Sequence, residues 1–309
     1  MSKVYKKIIQ LSFFTCCLGL LLTFPSLTLD YAKKGLSIWY QSMVPSLLPM
    51  MILTSCMIKL NITTAFASVL HPVTKRIYHL SKNGTYALLV GFLCGFPMGA
   101  KVICELYSQN KLSKDEANAL LPICNNIGPV FMLTFGLKSF VANRIYIILL
   151  LFYAIPLIYA FLLFRKRRFS QPEQHTIKKL PFCVALDESI SEGASGILSL
   201  GGYLMFFSIL ILLPREFMPL PKPIMSLLTC FLEITNGLSY APKLPPYILL
   251  ALLQFGGICC LFQTGKYTSK TDLSFKNYLL HKIILTVITL LFFFVLYVFV
   301  SDVCFVSQF

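Results

Sequence analysis

Glu233 is the most isolated acid in this chain. It stands in Phe231-Leu232-Glu233-Ile234-Thr235-Asn236-Gly237, within an otherwise apolar run. A carboxylate there could carry a proton or coordinate Na⁺. Hydrocarbon penalises such a group, so function is the default reading. Thr235 and Asn236 offer further oxygen atoms beside it. A second constellation is Asn125-Asn126, followed by Gly128-Pro129 and set between two apolar stretches. An unwound Asn-Asn turn presents amides and carbonyls to a polar solute or a hydrated ion. The plainer readings are an interfacial acid and a pair of amides bonding neighbouring helices at about 1 kcal/mol each. Glu105 follows Lys101 by one helical turn and reads as half of a local ion pair.

Backbone interruptions accompany these groups. Gly91 to Lys101 reads GFLCGFPMGAK, inside an apolar run from about Tyr86 to Leu106. Proline removes a donor and clashes with the preceding turn, and glycine favours turns. A break of this kind is tolerated in a membrane only where protein or a wet cavity surrounds it. Gln254-Phe255-Gly256-Gly257 interrupts a later run, and Gln254 and Gln263 bracket that break. Broken apolar helices near the bilayer midplane point to a transporter site. The candidate solute-binding residues are therefore Gly95, Pro97, Gly99, Asn125, Asn126, Glu233, Asn236, Gly256, Gly257 and Gln263. The breaks at Gly95–Gly99, Asn125–Gly128 and Gly256–Gly257 are expected to meet around one polar cavity.

The elements that carry these residues must be membrane helices. The 309 residues are 57% hydrophobic and 13% charged, with mean hydropathy +0.75. That composition excludes an ordinary soluble domain. Apolar runs fall near 8–24, 43–60, 85–107, 117–137, 145–164, 193–213, 224–240, 246–263 and 283–300. The expected fold is thus an all-α polytopic membrane protein with about eight or nine hydrophobic segments. The 27 Lys and Arg against 12 Asp and Glu give +15. These cations sit in short loops, which points to orientation and lipid contact rather than to nucleic acid.

The basic residues also set parity. Lys3, Lys6 and Lys7 place the N-terminus inside, and Arg165 to Arg168 place the end of the fifth run inside. Five full crossings would put that cluster outside, so one run must be a re-entrant hairpin. The run broken at Phe96-Pro97-Met98-Gly99 is the first choice, and the run holding Asn125 is the second. Residues 8–24 read as a retained transmembrane helix rather than a signal peptide. Trp39 and Tyr40 suggest an interfacial belt, and Thr64 to Ser81 an amphipathic surface helix.

The two halves echo one another. Gly193 to Leu213 lies beside Gly35 to Leu53, and the Gly256-Gly257 break beside Gly91 to Gly99. Each break precedes a helix-start signal: Ser113-Lys114-Asp115-Glu116, a capping box, and Ser269-Lys270-Thr271-Asp272. The expected organisation is 1–34 as an N-terminal helix and loop, 35–164 and 193–309 as inverted repeats, and 165–192 as a basic cytoplasmic linker.

Enzyme signatures are absent: no GxSxG, HExxH or Walker A sequence occurs. His71, His79, His175 and His281 lie in or beside basic stretches with no carboxylate at ligand spacing. The 11 cysteines fall largely within or beside apolar segments without a CxxC pair. They read as small buried hydrophobes. No enzyme activity, metal or cofactor is expected.

Five segments, in order, resemble the YlbJ-type sporulation integral membrane proteins with a nucleoside recognition, or Gate, domain. They are Val44-Pro45-Ser46-Leu47-Leu48-Pro49, Gly95 to Lys101, Cys124-Asn125-Asn126, Phe231 to Gly237, and Phe255-Gly256-Gly257 with Gln263. Phe96 stands where tyrosine is common in that pattern, and Cys124 to Pro129 lacks its hydroxyls. The resemblance implies an integral multi-pass protein of a bacterial cell membrane, needed for making spores and distantly similar to nucleoside transporters. The expected function is a carrier of a small polar solute, nucleoside-like or anionic, with H⁺ or Na⁺ as a coupling ion. The alternative is a non-transporting scaffold for spore-envelope assembly. Solute, coupling ion, direction and oligomeric state are not written in the sequence.

Overall fold

The computed structural model describes residues 3–137, 145–170, 180–239 and 244–299. Every regular element among them is helical. The first half runs α1 (Lys3–Thr23), α2 (Pro25–Ile38), α3 (Val44–Lys59), α4 (Thr63–Ala67), α5 (His71–Tyr78), α6 (Lys82–Cys94), α7 (Met98–Ser108), α8 (Lys114–Cys124), α9 (Pro129–Phe131) and α10 (Ile145–Phe164). The second runs α11 (Phe182–Leu212), α12 (Lys222–Leu232), α13 (Ile234–Leu238), α14 (Pro246–Phe255), α15 (Gly257–Thr268) and α16 (Phe275–Phe299). Wider π-type turns at Trp39–Met43, Met132–Gly136 and Leu213–Phe217 extend α2 into α3, α9 onward and α11 onward.

Among the described residues, six helices are long and apolar enough to cross a membrane: Pro25–Lys59, Lys114–Gly136, Ile145–Phe164, Phe182–Phe217, Pro246–Thr268 and Phe275–Phe299. The other three apolar runs take different forms. Run 8–24 lies within α1, whose apolar part Lys7–Thr23 is shorter. Run 85–107 divides into α6 and α7, and run 224–240 into α12 and α13. The break residues set this division. Gly95 adopts φ +76°, and the Phe96–Pro97 peptide is cis. α7 then doubles back along α6 until the Asn83 side-chain amide donates to the Lys111 carbonyl at 3.1 Å.

Two very long helices form the frame. Pro25–Lys59 has 35 residues and Phe182–Phe217 has 36. Each is about 50 Å long, well beyond a hydrocarbon core of about 30 Å. They run antiparallel, with polar staples at both ends. At one end Tyr31 donates to Glu216 at 2.7 Å and accepts from Arg215. At the other, Lys59 pairs with Glu188 and Glu192 at 2.6 and 2.7 Å, and Ser55 donates to Glu192. Ser55 also lies 3.2 Å from Glu105, whose other oxygen is 3.9 Å from Lys101. The local ion pair expected there exists, but it belongs to this larger interhelical cluster. Between the staples, Trp39 packs on Gly201 and donates to the Ile197 carbonyl at 2.8 Å. It is seated in the frame, whereas Tyr40 is exposed.

Several helix starts differ from expectation. Ser113 caps α8 as foreseen. The Glu116 carboxylate, however, reaches past its own cap and accepts from the Ser81 N–H at 2.7 Å. It thereby helps to close the start of α6. α16 begins at Phe275, and Ser274 rather than Ser269 caps it. Asp272, in the loop before it, accepts from Tyr107 and Lys114. The Lys114 ammonium holds that exposed carboxyl below its usual range. α11 begins at Phe182, so Asp187, Glu188 and Glu192 lie on a frame helix rather than in a linker. The Thr64 to Ser81 stretch is helical, but in two short pieces, α4 and α5. All ten cysteines among the described residues are free, and six of them are buried.

The closest backbone approach sits at the first break. A Cβ on Gly99 would lie 2.2 Å from the Cys124 carbonyl oxygen, and one on Gly95 would lie 2.1 Å from the Gly128 nitrogen. Backbone on both sides leaves little to yield, so overpacking should cost about 1–3 kcal/mol or more. Gly202 in α11 has open space around its Cβ position. Gly99→Ala should therefore lower the melting temperature of the detergent-solubilised protein by several degrees. Gly202→Ala should leave it unchanged or raise it. Equal melting of the two variants would refute the close approach.

Candidate functional site

α8 stops at Cys124 because Asn125 leaves helical geometry, with φ −100° and ψ 70°. The chain turns through Asn125–Gly128 and restarts at Pro129, whose fixed φ suits a first helical position. This frees backbone groups in the middle of the 23-residue span Lys114–Gly136. Lys282 donates to the freed Asn125 carbonyl and Tyr153 of α10 to the Ile127 carbonyl at 2.6 Å, and further groups close in on the turn from several helices. α6 and α7 bring Gly91 and Gly99 against the Cys124 carbonyl. α14 brings Gln254, whose Nε2 donates to Asn126 Oδ1 at 2.9 Å. α15 brings Thr264, whose Oγ1 accepts from Asn125 Nδ2 at 2.6 Å. α16 brings Tyr278, whose hydroxyl lies 3.1 Å from Asn125 Nδ2, and Lys282.

Lys282 is 0% exposed. Its Nζ donates to the Asn125 carbonyl and to Asn126 Oδ1, each at 2.8 Å. It also lies 4.6 Å above the Phe96 ring, within cation–π range. The same ring covers Gly256, where a Cβ would be 2.7 Å from it. Gly257 in turn sits against the backbone of Cys230, Phe231 and Ile234 at the α12–α13 turn. All three expected breaks, and the Glu233 turn, therefore meet at one crossing.

Glu233 ends α12 in an extended conformation and starts α13. Its carboxylate accepts from the Thr235 N–H at 2.8 Å and the Asn236 N–H at 2.7 Å. α13 folds straight back on α12, with Gly237 against Cys230. Asn236 donates from its side chain to Ser208 of α11 at 2.5 Å.

Beside this crossing lies a cavity of about 600 Å³. The frame contributes Gln41, Ser42, Ser46, Met50, Leu200 and Leu204 to its wall. The broken elements contribute Phe96, Phe131, Glu233, Thr235, Cys260 and Gln263. Its wall is mainly apolar and aromatic, with polar groups at separate points. Exposed Leu93 and Val130 mark its mouth.

Of the ten candidate residues, Glu233 and Gln263 line this cavity. Gln263 donates to Cys259 Sγ at 3.2 Å. Asn125 and Asn126 are wholly buried beside it, tied up by α14, α15 and α16. Gly95, Pro97, Gly99, Gly256 and Gly257 shape the crossing through their backbone, and Asn236 faces α11. Lys282, Tyr278 and Thr264 belong to the crossing but are not among the ten. The signal for Lys282 was its place two turns inside α16, which the apolar run drawn from residue 283 had excluded. Among the described residues, no cluster of three or more His, Cys, Asp or Glu is placed to hold a metal ion.

The two cap bonds of Glu233 use both carboxylate oxygens. Glutamine keeps one acceptor and turns an amide N–H toward the other backbone N–H. Glu233→Gln should therefore cost about 1 kcal/mol of stability, and Glu233→Ala more. Thermal melts should rank wild type above Gln above Ala. A Gln variant melting with wild type would mean that one of the two bonds is idle.

The chain is 31% identical over 132 residues to the sporulation integral membrane protein YlbJ of Bacillus subtilis (strain 168). The alignment covers 43% of this chain and 32% of that protein, so the chain spans about a third of the length of the curated relative it matches. No family model matches the chain. No solved structure matches it either. With its six long apolar helices, the chain is an integral membrane protein that is YlbJ-like over the aligned stretch.

Proposed function

We propose that the chain is a membrane carrier that loads one small solute into the cavity beside the crossing, in a bacterial cell membrane during sporulation. The observation that carries this reading is the meeting of three broken segments and the Glu233 turn beside a cavity of about 600 Å³. That volume lies in the range of small-molecule sites. The cavity also falls midway along both frame helices, between Tyr31–Glu216 and Lys59–Glu188. The wall suits a neutral or cationic solute with a flat apolar body and hydrogen-bond donors, as a nucleobase has. Phe96, Phe131 and Phe135 line the cavity with aromatic rings, and Glu233 and Gln263 line it with polar side chains. A carboxylate in the wall disfavours an anion. The Gate likeness of the sequence points the same way. H⁺ or Na⁺ remains the coupling ion of this reading.

Element order supports inverted repeats. Each half has a long frame helix, a fold-back pair, a broken span and a straight span: Pro25–Lys59, α6/α7, Lys114–Gly136 and α10, then Phe182–Phe217, α12/α13, Pro246–Thr268 and α16. This order matches the Gly256 break with Asn125–Gly128, and the Glu233 turn with Gly95–Pro97. With α1 crossing and α6/α7 re-entrant, the first half makes an even number of crossings. Arg165 to Arg168 then return to the side of the N-terminal lysines, as the positive-inside rule asks. The scaffold reading draws on α1, whose Val4, Ile8, Leu11, Phe14, Leu18 and Leu22 are exposed.

Purified protein in proteoliposomes, offered nucleosides, nucleobases and small anions with and without Na⁺ and proton gradients, tests the function. Uptake of a nucleoside or nucleobase, lost in Glu233→Gln nearly as fully as in Glu233→Ala, is the expected outcome. No uptake of any of these, with sporulation intact in both variants, would favour the scaffold. Topology is tested separately. Single cysteines at positions 82 and 111 in a cysteine-free background should label from the same side of the membrane. Labelling from opposite sides would remove the re-entrant hairpin.

A further inference from the structure

We propose that the crossing of the broken segments is a monovalent-cation site, and that this chain fills it with its own Lys282 ammonium. The proposal stands apart from whether the chain moves a solute. A buried lysine usually has a carboxylate beside it, because a lone charge is costly away from water. Lys282 is 0% exposed, and no ion pair joins it to the described residues. What surrounds it instead is a set of cation ligands. The Asn125 carbonyl and Asn126 Oδ1 each lie 2.8 Å from Nζ, and the face of Phe96 lies 4.6 Å away.

The local chain geometry explains why this spot is electronegative. α8 ends at Cys124, so its C-terminal carbonyl end points at the crossing. That end of a helix carries partial negative charge. The break frees the Asn125 carbonyl from helical bonding, and Lys282 takes it. Oxygens remain in excess there. Asn125 Oδ1 and Gln254 Oε1 are buried without a donor among the described residues. The titratable neighbours of Lys282, Cys260 and Tyr278, are a thiol and a phenol rather than carboxylates. A neutral donor of the same length would satisfy two acceptors, but it would use neither the aromatic face nor the helix end.

A tethered ammonium and a free cation are interchangeable in this view, and removing the tether should uncover the site. The test uses the full chain in detergent, melted in chloride salts of ammonium, Na⁺, K⁺ and N-methyl-D-glucamine at equal ionic strength. Wild type should melt alike in all four. Lys282→Ala should melt several degrees lower in N-methyl-D-glucamine, and recover saturably in ammonium or one of the small metal cations. Lys282→Met, which keeps the bulk without the charge, should melt low in every salt. A Met variant as stable as wild type would overturn the proposal. So would an Ala variant indifferent to the cation. Should neither variant survive extraction, Asn126→Asp in the native Lys282 background decides, because it puts a carboxylate oxygen where Asn126 Oδ1 lies 2.8 Å from Nζ. A charged ammonium gains a counter-ion and the melting temperature holds or rises, whereas a fall overturns the proposal.

Discussion

Backbone groups released in the middle of a membrane span must be satisfied inside the protein, and this constraint organises the whole molecule. The turn at Asn125–Gly128 releases carbonyls and N–H groups in the span Lys114–Gly136. The Asn125 carbonyl takes a bond from Lys282 of α16 and the Ile127 carbonyl one from Tyr153 of α10, while side chains of α14 and α15 hold the two asparagine amides. Lys282 is the hub because a long side chain reaches the Asn125 carbonyl from the far helix while its head bonds Asn126. Small residues do the rest. Gly91 and Gly99 let α6 and α7 lie on the Cys124 carbonyl, and Gly256 makes room for the Phe96 ring between itself and Lys282.

The frame and the broken elements play different parts. The paired helices Pro25–Lys59 and Phe182–Phe217 are stapled by charged groups near both ends and close-packed in between. The broken elements meet through close backbone packing and buried polar bonds at the crossing. The cavity lies between the two bodies, with Met50 and Leu204 on one wall and Phe96 and Glu233 on the other. A shift of one body against the other would change the cavity without breaking any helix.

Glu233 shows how one residue serves two roles. Its carboxylate closes the start of α13 by taking two N–H groups, which a buried helix end requires. The same residue lines the cavity wall, where the proposed solute would meet it. Local structure and chemistry are therefore not separable at this position by truncation alone, and the comparison of the Gln and Ala variants is the informative one.

Composition, the apolar runs and the Pro/Gly breaks together marked the class of molecule and three of the places where helices break; the break at Glu233 carried no such mark and was read as part of one run. The marks are one-dimensional properties: hydrocarbon tolerates neither charges nor open backbone, so both show in the order of residues. The meeting of the breaks was also legible, but the polar cavity expected around them was not: the crossing is buried, and the cavity beside it has a mainly apolar wall. Nor were the partners legible. Lys282 fell just outside the apolar run drawn from residue 283 and drew no reading, because burial of a cation depends on which oxygens face it, and these lie 157 and 156 positions earlier in the chain. Glu116 read as half of a local capping box, yet its carboxylate closes the start of α6. Asn125 and Asn126 read as cavity ligands, and the structure instead ties them into the crossing, leaving Glu233 and Gln263 at the wall. Only the tertiary arrangement could decide such pairings. A polar side chain bonds whichever partner packing brings within about 3 Å, and packing is a property of all the helices at once.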